Sequence, residues 1–140
     1  MSMTGEYNHI LDTKGRIFIP SKLRESLGDS FYLTISADKC LNAYSADDWQ
    51  ILTDKVNAMS YIKQRKMRPL FSCAAKCDMD SQGRVLIPQN LRAYAGIKKD
   101  VTIIGCNNHA ELWDSSSWVS VYKNETTVEN LTAVMEELDF

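Results

Sequence analysis

One stretch of this chain is used twice, and that repetition constrains the fold more than any other feature. Asp12-Thr13-Lys14-Gly15-Arg16-Ile17-Phe18-Ile19-Pro20-Ser21-Lys22-Leu23-Arg24 returns as Asp80-Ser81-Gln82-Gly83-Arg84-Val85-Leu86-Ile87-Pro88-Gln89-Asn90-Leu91-Arg92, a shift of 80 − 12 = 68. The register holds through Gly28 and Gly96. Eight identities fall in it: Asp, Gly, Arg, Ile, Pro, Leu, Arg and the closing Gly. Chance does not align so many, so the chain carries an internal repeat.

Each copy has a legible physical plan. Thr13-Lys14-Gly15 reads as a three-residue hairpin loop whose last residue takes positive φ, which Gly15, and Gly83 after it, adopt without a Cβ clash. Asp12 and Arg16 then face each other across the ladder, and the ion pair aims the guanidinium. A turn needs the glycine but not the arginine, so two identical charged turns suggest more than a staple. Ile17-Phe18-Ile19 and Val85-Leu86-Ile87 are unbroken apolar runs, which predicts strands buried on both faces with cover from another copy of the unit. Pro20 and Pro88 stop these strands and suit the first position of a helix. Leu23 with Leu27, and Leu91 with Ala95, then lie one turn apart, and Gly28 and Gly96 close each helix.

The rest of the chain repeats this plan. Strands are expected at Tyr7–Leu11, Phe31–Ile35 and Cys40–Tyr44, then from Cys73 to Met79, at Val101–Ile104 and at Ala110–Trp113. Trp113 falls on Tyr44 and Trp118 on Trp49 at a shift of 113 − 44 = 69, so one residue is inserted after the second short helix. Ser45 and Asp48 have capping-box-like spacing, and Trp49, Leu52, Val56 and Met59 form the stripe of a helix behind them. Residues 60–72 read as a linking helix that Pro69 bends or interrupts. Its Lys63, Arg65, Lys66 and Arg68 are the densest basic run, read as a solvated helix face. Thr126 to Leu138 predicts a last helix, whose Val128, Leu131, Val134, Met135 and Leu138 must dock on the core or on a neighbouring subunit.

Net charge is −2, so no global basic signal announces nucleic acid. Residues 1–28 nonetheless carry four bases against three acids, whereas residues 125–140 carry five acids and no base. An anion-binding surface must therefore be local, at the turns. The start is polar and acidic rather than signal-like, and no run of about 18 apolar residues predicts a membrane span. Cys40, Cys73, Cys77 and Cys106 form no Cys-x-x-Cys pattern. Cys73 and Cys77 are spaced i, i+4, but free thiols without a metal are the expectation. No nucleophile–base constellation, phosphate-cradling glycine loop or dinucleotide fingerprint is present, which argues against an enzyme and against a cofactor or small-molecule substrate.

What remains is a device for presenting side chains. Lys14, Arg16, Gln82 and Arg84 are the candidate DNA-binding residues, held by Asp12, Gly15, Asp80 and Gly83. Arg is the best bidentate donor to phosphate and to guanine edges, and a two-stranded ribbon can enter a DNA groove. Arg24 and Arg92 read either as backbone contacts or as solubilising surface.

The doubled Asp-x-x-x-Arg-Ile-x-Ile-Pro pattern, with Ala74-Ala75 before its second copy and Glu111-Leu112-Trp113-Asp114 after it, resembles the bacterial MraZ family of the AbrB-like swapped-hairpin superfamily, over about residues 5–122. The resemblance implies a mainly β fold with short helices (α+β). Two tandem swapped-hairpin units would form an intrachain pseudo-dimer, with connecting and C-terminal helices. The divisions expected are a first unit at 5–50, a helical connector at 51–72, a second unit at 73–120 and a tail at 121–140. It further implies a transcriptional regulator of the division and cell-wall gene cluster, including its own promoter. That regulator would act as a homo-oligomeric ring on direct repeats of double-stranded DNA, in the cytoplasm at the nucleoid. An antitoxin-like protein of the same superfamily that binds a protein partner, or a structural ring, is the alternative. Ser81 departs from the charged residue of many relatives, so the second loop presents less positive charge than the first. His109 stands where the resemblance suggests a base.

Overall fold

The computed structural model of the chain describes residues 2–139. In chain order its elements are β1 (Glu6–Ile10), β2 (Arg16–Phe18), α1 (Ser21–Leu27), β3 (Ser30–Ile35), β4 (Leu41–Ser45), α2 (Ala46–Asn57), α3 (Tyr61–Lys66), α4 (Arg68–Ser72), β5 (Ala75–Asp78), β6 (Arg84–Leu86), α5 (Gln89–Ala95), β7 (Asp100–Gly105), β8 (Ala110–Asp114), α6 (Ser115–Glu125) and α7 (Val128–Glu137). No helix among the described residues is long and apolar enough to cross a membrane.

The repeats exchange strands. A six-stranded antiparallel sheet runs β1-β7-β8-β4-β3-β5, and a separate two-stranded ribbon pairs β2 with β6. Under the repeat, β1 corresponds to β5, β3 to β7 and β4 to β8. That mapping reverses the strand order onto itself, so a pseudo-twofold axis passes between β8 and β4. β1 of the first copy pairs with β7 of the second, from Glu6 opposite Ile104 to Ile10 opposite Asp100. Reciprocally, β5 of the second copy pairs with β3 of the first, from Ser30 opposite Asp78 to Leu33 opposite Ala75. The expected swapped-hairpin α+β fold is therefore the one observed.

The swap changes the reading of the turns. Asp12 N–H donates to the Arg16 carbonyl at 2.9 Å, and Asp80 N–H to the Arg84 carbonyl at 2.9 Å, after which the flanking strands part to different partners. Asp12 and Arg16 thus close a tight turn rather than face each other along a continuing ladder. Burial explains the divergence. Ile17, Ile19, Val85 and Ile87 face inwards, each at most 1% exposed, and pack with Phe31, Leu33, Leu41 and Leu112 of the sheet. The ribbon has no second layer outside it, so Phe18 (42% exposed) and Leu86 (55%) remain in solvent. The expectation of strands buried on both faces is corrected: each is buried on one.

Other expectations shift by small steps. Pro20 and Pro88 are the N-caps of α1 and α5, one position earlier than predicted, with extended ψ of 135° and 147°. Ser45 caps α2 by accepting from Asp48 N–H, as expected, but α2 ends at Asn57 and Met59 lies beyond it, 40% exposed. The predicted linking helix is two short helices, α3 and α4, broken at Met67, with Pro69 in the first turn of α4. Cys73 closes α4 and Cys77 lies in β5, so their spacing does not place them on one helix face.

α1 and α5 pack with the ribbon into one core, while α2, α4 and α6 cover the opposite face of the sheet. Trp49 of α2 stacks on Tyr32 at 5.0 Å between ring centres and meets Phe71 edge-on at 5.6 Å. Trp118 of α6 packs on Trp113 at 5.5 Å, the counterpart predicted by the repeat. α7, capped by Thr127, leaves its stripe open within the chain: Val128, Leu131, Val134, Met135 and Leu138 are 45–79% exposed.

Candidate nucleic-acid interface

The two charged turns are built by the same bonds. Asp12 Oδ1 accepts from the backbone N–H of Lys14 (2.9 Å) and Arg16 (2.8 Å), while Oδ2 accepts from Arg16 Nε at 2.7 Å. Asp80 Oδ1 accepts from the N–H of Gln82 and Arg84, both at 2.9 Å, and Oδ2 from Arg84 Nε at 2.9 Å. Gly15 N–H returns to the Asp12 carbonyl and Gly83 N–H to that of Asp80, both at 3.0 Å. The glycines take φ of +83° and +78°, as the loop reading required. The N–H groups of Arg16 and Arg84 are the largest influence holding these two carboxyls below their ordinary range, so both are ionised at neutral pH.

The turns also lock each other. Ile19 N–H donates to the Gly83 carbonyl at 3.0 Å, and Ile87 N–H to that of Gly15 at 2.9 Å. Arg24 and Arg92, which the sequence left between backbone contact and plain surface, have a structural place. A β-carbon at Gly83 would collide with the Arg24 guanidinium, and one at Gly15 would stand 3.0 Å from Arg92 Cζ. Each short helix thus lays its arginine over the turn glycine of the other repeat. The match is imperfect: Arg24 Nε donates to the Ile19 carbonyl at 2.7 Å, whereas Arg92 Nε is buried with no acceptor among the described residues. The glycines are needed twice over, for positive φ and for room beneath a cation.

The ribbon register fixes the outer face. Arg16 lies opposite Leu86, Ile17 opposite Val85 and Phe18 opposite Arg84. Strand alternation sends Ile17 and Val85 inwards, so Arg16, Phe18, Arg84 and Leu86 share the outer surface. Each arginine sits beside an exposed apolar side chain of the other repeat. Arg84 Nη1 also comes within 3.9 Å of Asp12 Oδ2, which ties the turns electrostatically. Lys14 and Gln82 are exposed at the turn tips. The structure therefore brings Lys14, Arg16, Gln82 and Arg84 to one edge of the molecule, with Asp12, Gly15, Asp80 and Gly83 beneath them. Phe18 and Leu86 escape a reading of the sequence alone, because an unbroken apolar run looks like core. The signal that finds them is the ribbon's lack of an outer layer.

The arrangement can do little covalent chemistry. Its carboxylates are committed to backbone N–H groups and arginines, and no histidine or thiol lies on the ribbon. It can present two guanidiniums, each anchored through Nε, between two apolar side chains, with their terminal nitrogens turned to a ligand except for Arg84 Nη1, which also faces Asp12. Such anchored forks suit bidentate acceptors: phosphate oxygens and guanine edges.

Comparison with known proteins agrees with this geometry. The family model of the MraZ protein, described as antitoxin-like, matches twice, over residues 3–68 and 70–139. A protein named transcriptional regulator MraZ from Caldicellulosiruptor bescii is 44% identical over 140 residues, covering 97% of this chain and 98% of that protein. With both halves matched and the turns repeated in both, the chain belongs to the MraZ family of transcriptional regulators.

Proposed function

We propose that this regulator binds double-stranded promoter DNA through the outer face of the β2–β6 ribbon, with Arg16, Arg84, Lys14 and Gln82 as its contacts. The observation that carries the reading is the pair of Nε-anchored guanidiniums on a two-stranded ribbon whose outer face no described residue covers. Phe18 and Leu86 beside them suit thymine methyl groups. The functional units are the repeats at 5–50 and 73–120, joined by 51–72 and followed by 121–140. The targets are direct repeats upstream of a division and cell-wall gene cluster that includes its own gene, reached in the cytoplasm at the nucleoid.

The same reading requires assembly. One ribbon offers few cationic contacts, each worth about 0.9 in the salt slope, so a lone subunit binds weakly. Several subunits on successive repeats make later contacts nearly intramolecular. The uncovered stripe of α7 supplies an apolar surface for such a homo-oligomer, which we take to be a ring. The test is a mobility-shift titration of wild type, Arg16→Ala and Arg84→Ala on one-repeat and four-repeat DNA, with oligomer size measured for each. Near-complete loss in both variants, and one-repeat binding far below simple site counting, are expected. Assembled variants that bind like wild type would move the DNA surface elsewhere, first to the Lys63–Arg68 segment. Wild-type indifference to DNA, with capture of a protein instead, would favour the antitoxin-like reading.

A further inference from the structure

On the helix-covered side of the sheet, away from the ribbon, the β7–β8 connection gathers three side chains of metal-ligand type. Cys106 N–H donates to the His109 carbonyl at 2.8 Å, closing a tight turn that Asn107 permits by taking a φ of +69°. The turn brings Cys106 Sγ, a His109 ring nitrogen and a Glu111 carboxylate oxygen all within 4.8 Å of one another. A tetrahedral zinc with ligands at about 2.0–2.3 Å needs its donors roughly 3.3–3.8 Å apart, so small side-chain rotations would close the set.

The surroundings of each ligand carry the argument further. His109 Nδ1 lies 2.8 Å from Asn108 Oδ1, and its Nε2 lies 2.9 Å from Glu111 Oε2. A metal taking Nε2 would replace the proton shared with Glu111 Oε2, and the ring proton would then sit on Nδ1, where Asn108 Oδ1 is placed to accept it. Trp113 Nε1 donates to Glu111 Oε1 at 2.9 Å, which holds the carboxylate and leaves Oε2 to ligate. Outer partners of this kind are what orient metal ligands. Asn42 lies directly across the β4–β8 ladder from Glu111, and its buried Oδ1 has no donor among the described residues. Water on a metal's open position is such a donor. Cys106 and Glu111 line one cavity of about 320 Å³ and His109 a separate one of about 220 Å³, so the cluster is reached from solvent on both sides.

We propose that Cys106, His109 and Glu111 form a zinc site with one open position. A thiolate, an imidazole and a carboxylate together suit zinc better than magnesium or calcium, which take oxygen ligands. Binding releases the Cys106 thiol proton to solvent and leaves the His109 proton on Nδ1. All three ligands belong to one hairpin. Asn107 in its turn is also paired with Met3 by two backbone bonds of 2.8 Å, so the ion would brace the turn on which the N-terminal segment docks.

The test uses the full chain with zinc or cobalt alone. Competition against a chromogenic chelator should give one zinc per chain, and cobalt a thiolate charge-transfer band with tetrahedral d–d absorption. Cys106→Ser should remove the band, and His109→Gln should weaken zinc by at least the roughly 10–100-fold that outer-shell changes cost. The Cys73→Ser/Cys77→Ser double variant should keep both signals. X-ray absorption on wild-type protein, which needs no variant to fold, should show one sulfur with nitrogen and oxygen neighbours. No stoichiometric binding, a band that survives Cys106→Ser, a signal lost with Cys73 and Cys77, or a zinc shell without sulfur would each overturn the proposal.

Discussion

Replacing Gly83 by alanine separates two demands that the turn places on this position. Gly83 and Gly96 both have positive φ, +78° and +65°, so alanine is strained at both, by about 1–2 kcal/mol. They differ in what a methyl group meets. At Gly96 nothing lies within 4 Å, whereas at Gly83 the methyl collides with the Arg24 guanidinium. Moving that side chain breaks its bond from Nε to the Ile19 carbonyl, a charged bond worth about 1.5–3 kcal/mol. Gly83→Ala should therefore cost about 2.5–5 kcal/mol and Gly96→Ala about 1–2. Gly15→Ala should fall between them: its methyl meets Arg92 Cζ at 3.0 Å, but Arg92 Nε has no bond to lose. Urea unfolding at fixed protein concentration gives the three values, and Arg24→Ala completes a double-mutant cycle. With the guanidinium gone the methyl has room, so the double variant should lose at least about 1 kcal/mol less than the two singles added. Equal losses at Gly83 and Gly96, with no coupling to Arg24, would show that the guanidinium does not constrain the turn.

Three further outcomes are expected. Asp12 and Asp80 have lowered folded values, so their stabilisation is complete above the ordinary 3.8 and is lost as pH falls through the lower folded value; Asp12→Asn/Asp80→Asn should flatten the acid limb of stability measured by urea midpoints from about pH 5 downward. Phe18→Ser with Leu86→Ser should cost far less in unfolding than a change at the buried Ile17 or Val85, because both side chains are about half exposed, while weakening DNA retention; unchanged retention would leave the arginines alone as the contact surface. Burial pushes the Cys40 thiol up to about 12 and Cys77 up to about 11, so alkylation at about pH 8 should label both far more slowly in native than in unfolded protein, as peptide mass mapping would read.

The turns were legible in the sequence because their requirements are local. Positive φ at Gly15 and Gly83, and the pairing of Asp12 with Arg16, depend on residues within four positions. The short helices were legible for the same reason. The destinations of β1 and β5 were not, since each is satisfied by a strand of the other repeat, and periodicity does not name a partner. Phe18 illustrates the cost: its neighbours are core, and only the pairing of β2 with β6 shows that its own face is open. Arg24 and Arg92 were opaque because their targets lie in the opposite repeat, although their recurrence alongside the glycines was visible. The equivalent turn, closed by Ser36 N–H on the Cys40 carbonyl, carries Asn42 where the second carries Glu111, so the repeat gave no reason to look for a ligand cluster there.

The departures from symmetry bear most directly on how the proposed DNA reading works. A ribbon with a perfect pseudo-twofold axis would present the same chemistry in both directions and would suit a palindrome. Here Arg16 beside Leu86 and Arg84 beside Phe18 keep the arginines equivalent but not their neighbours, and one turn tip carries Lys14 where the other carries Gln82. The ribbon therefore has a direction, with more charge at the first turn and an aromatic ring beside the second arginine. Direct repeats require that each subunit meet its site in one orientation, and a directional ribbon provides the means. Exchanging the two tips, by Lys14→Gln with Gln82→Lys, conserves total charge and disturbs neither aspartate. If direction is read from the tips, the exchanged protein should keep its non-specific affinity and its salt slope. It should also lose most of its preference for direct over inverted repeats in a competition shift assay. Retention of that preference would place the directional signal in Phe18 and Leu86 or in the assembly itself.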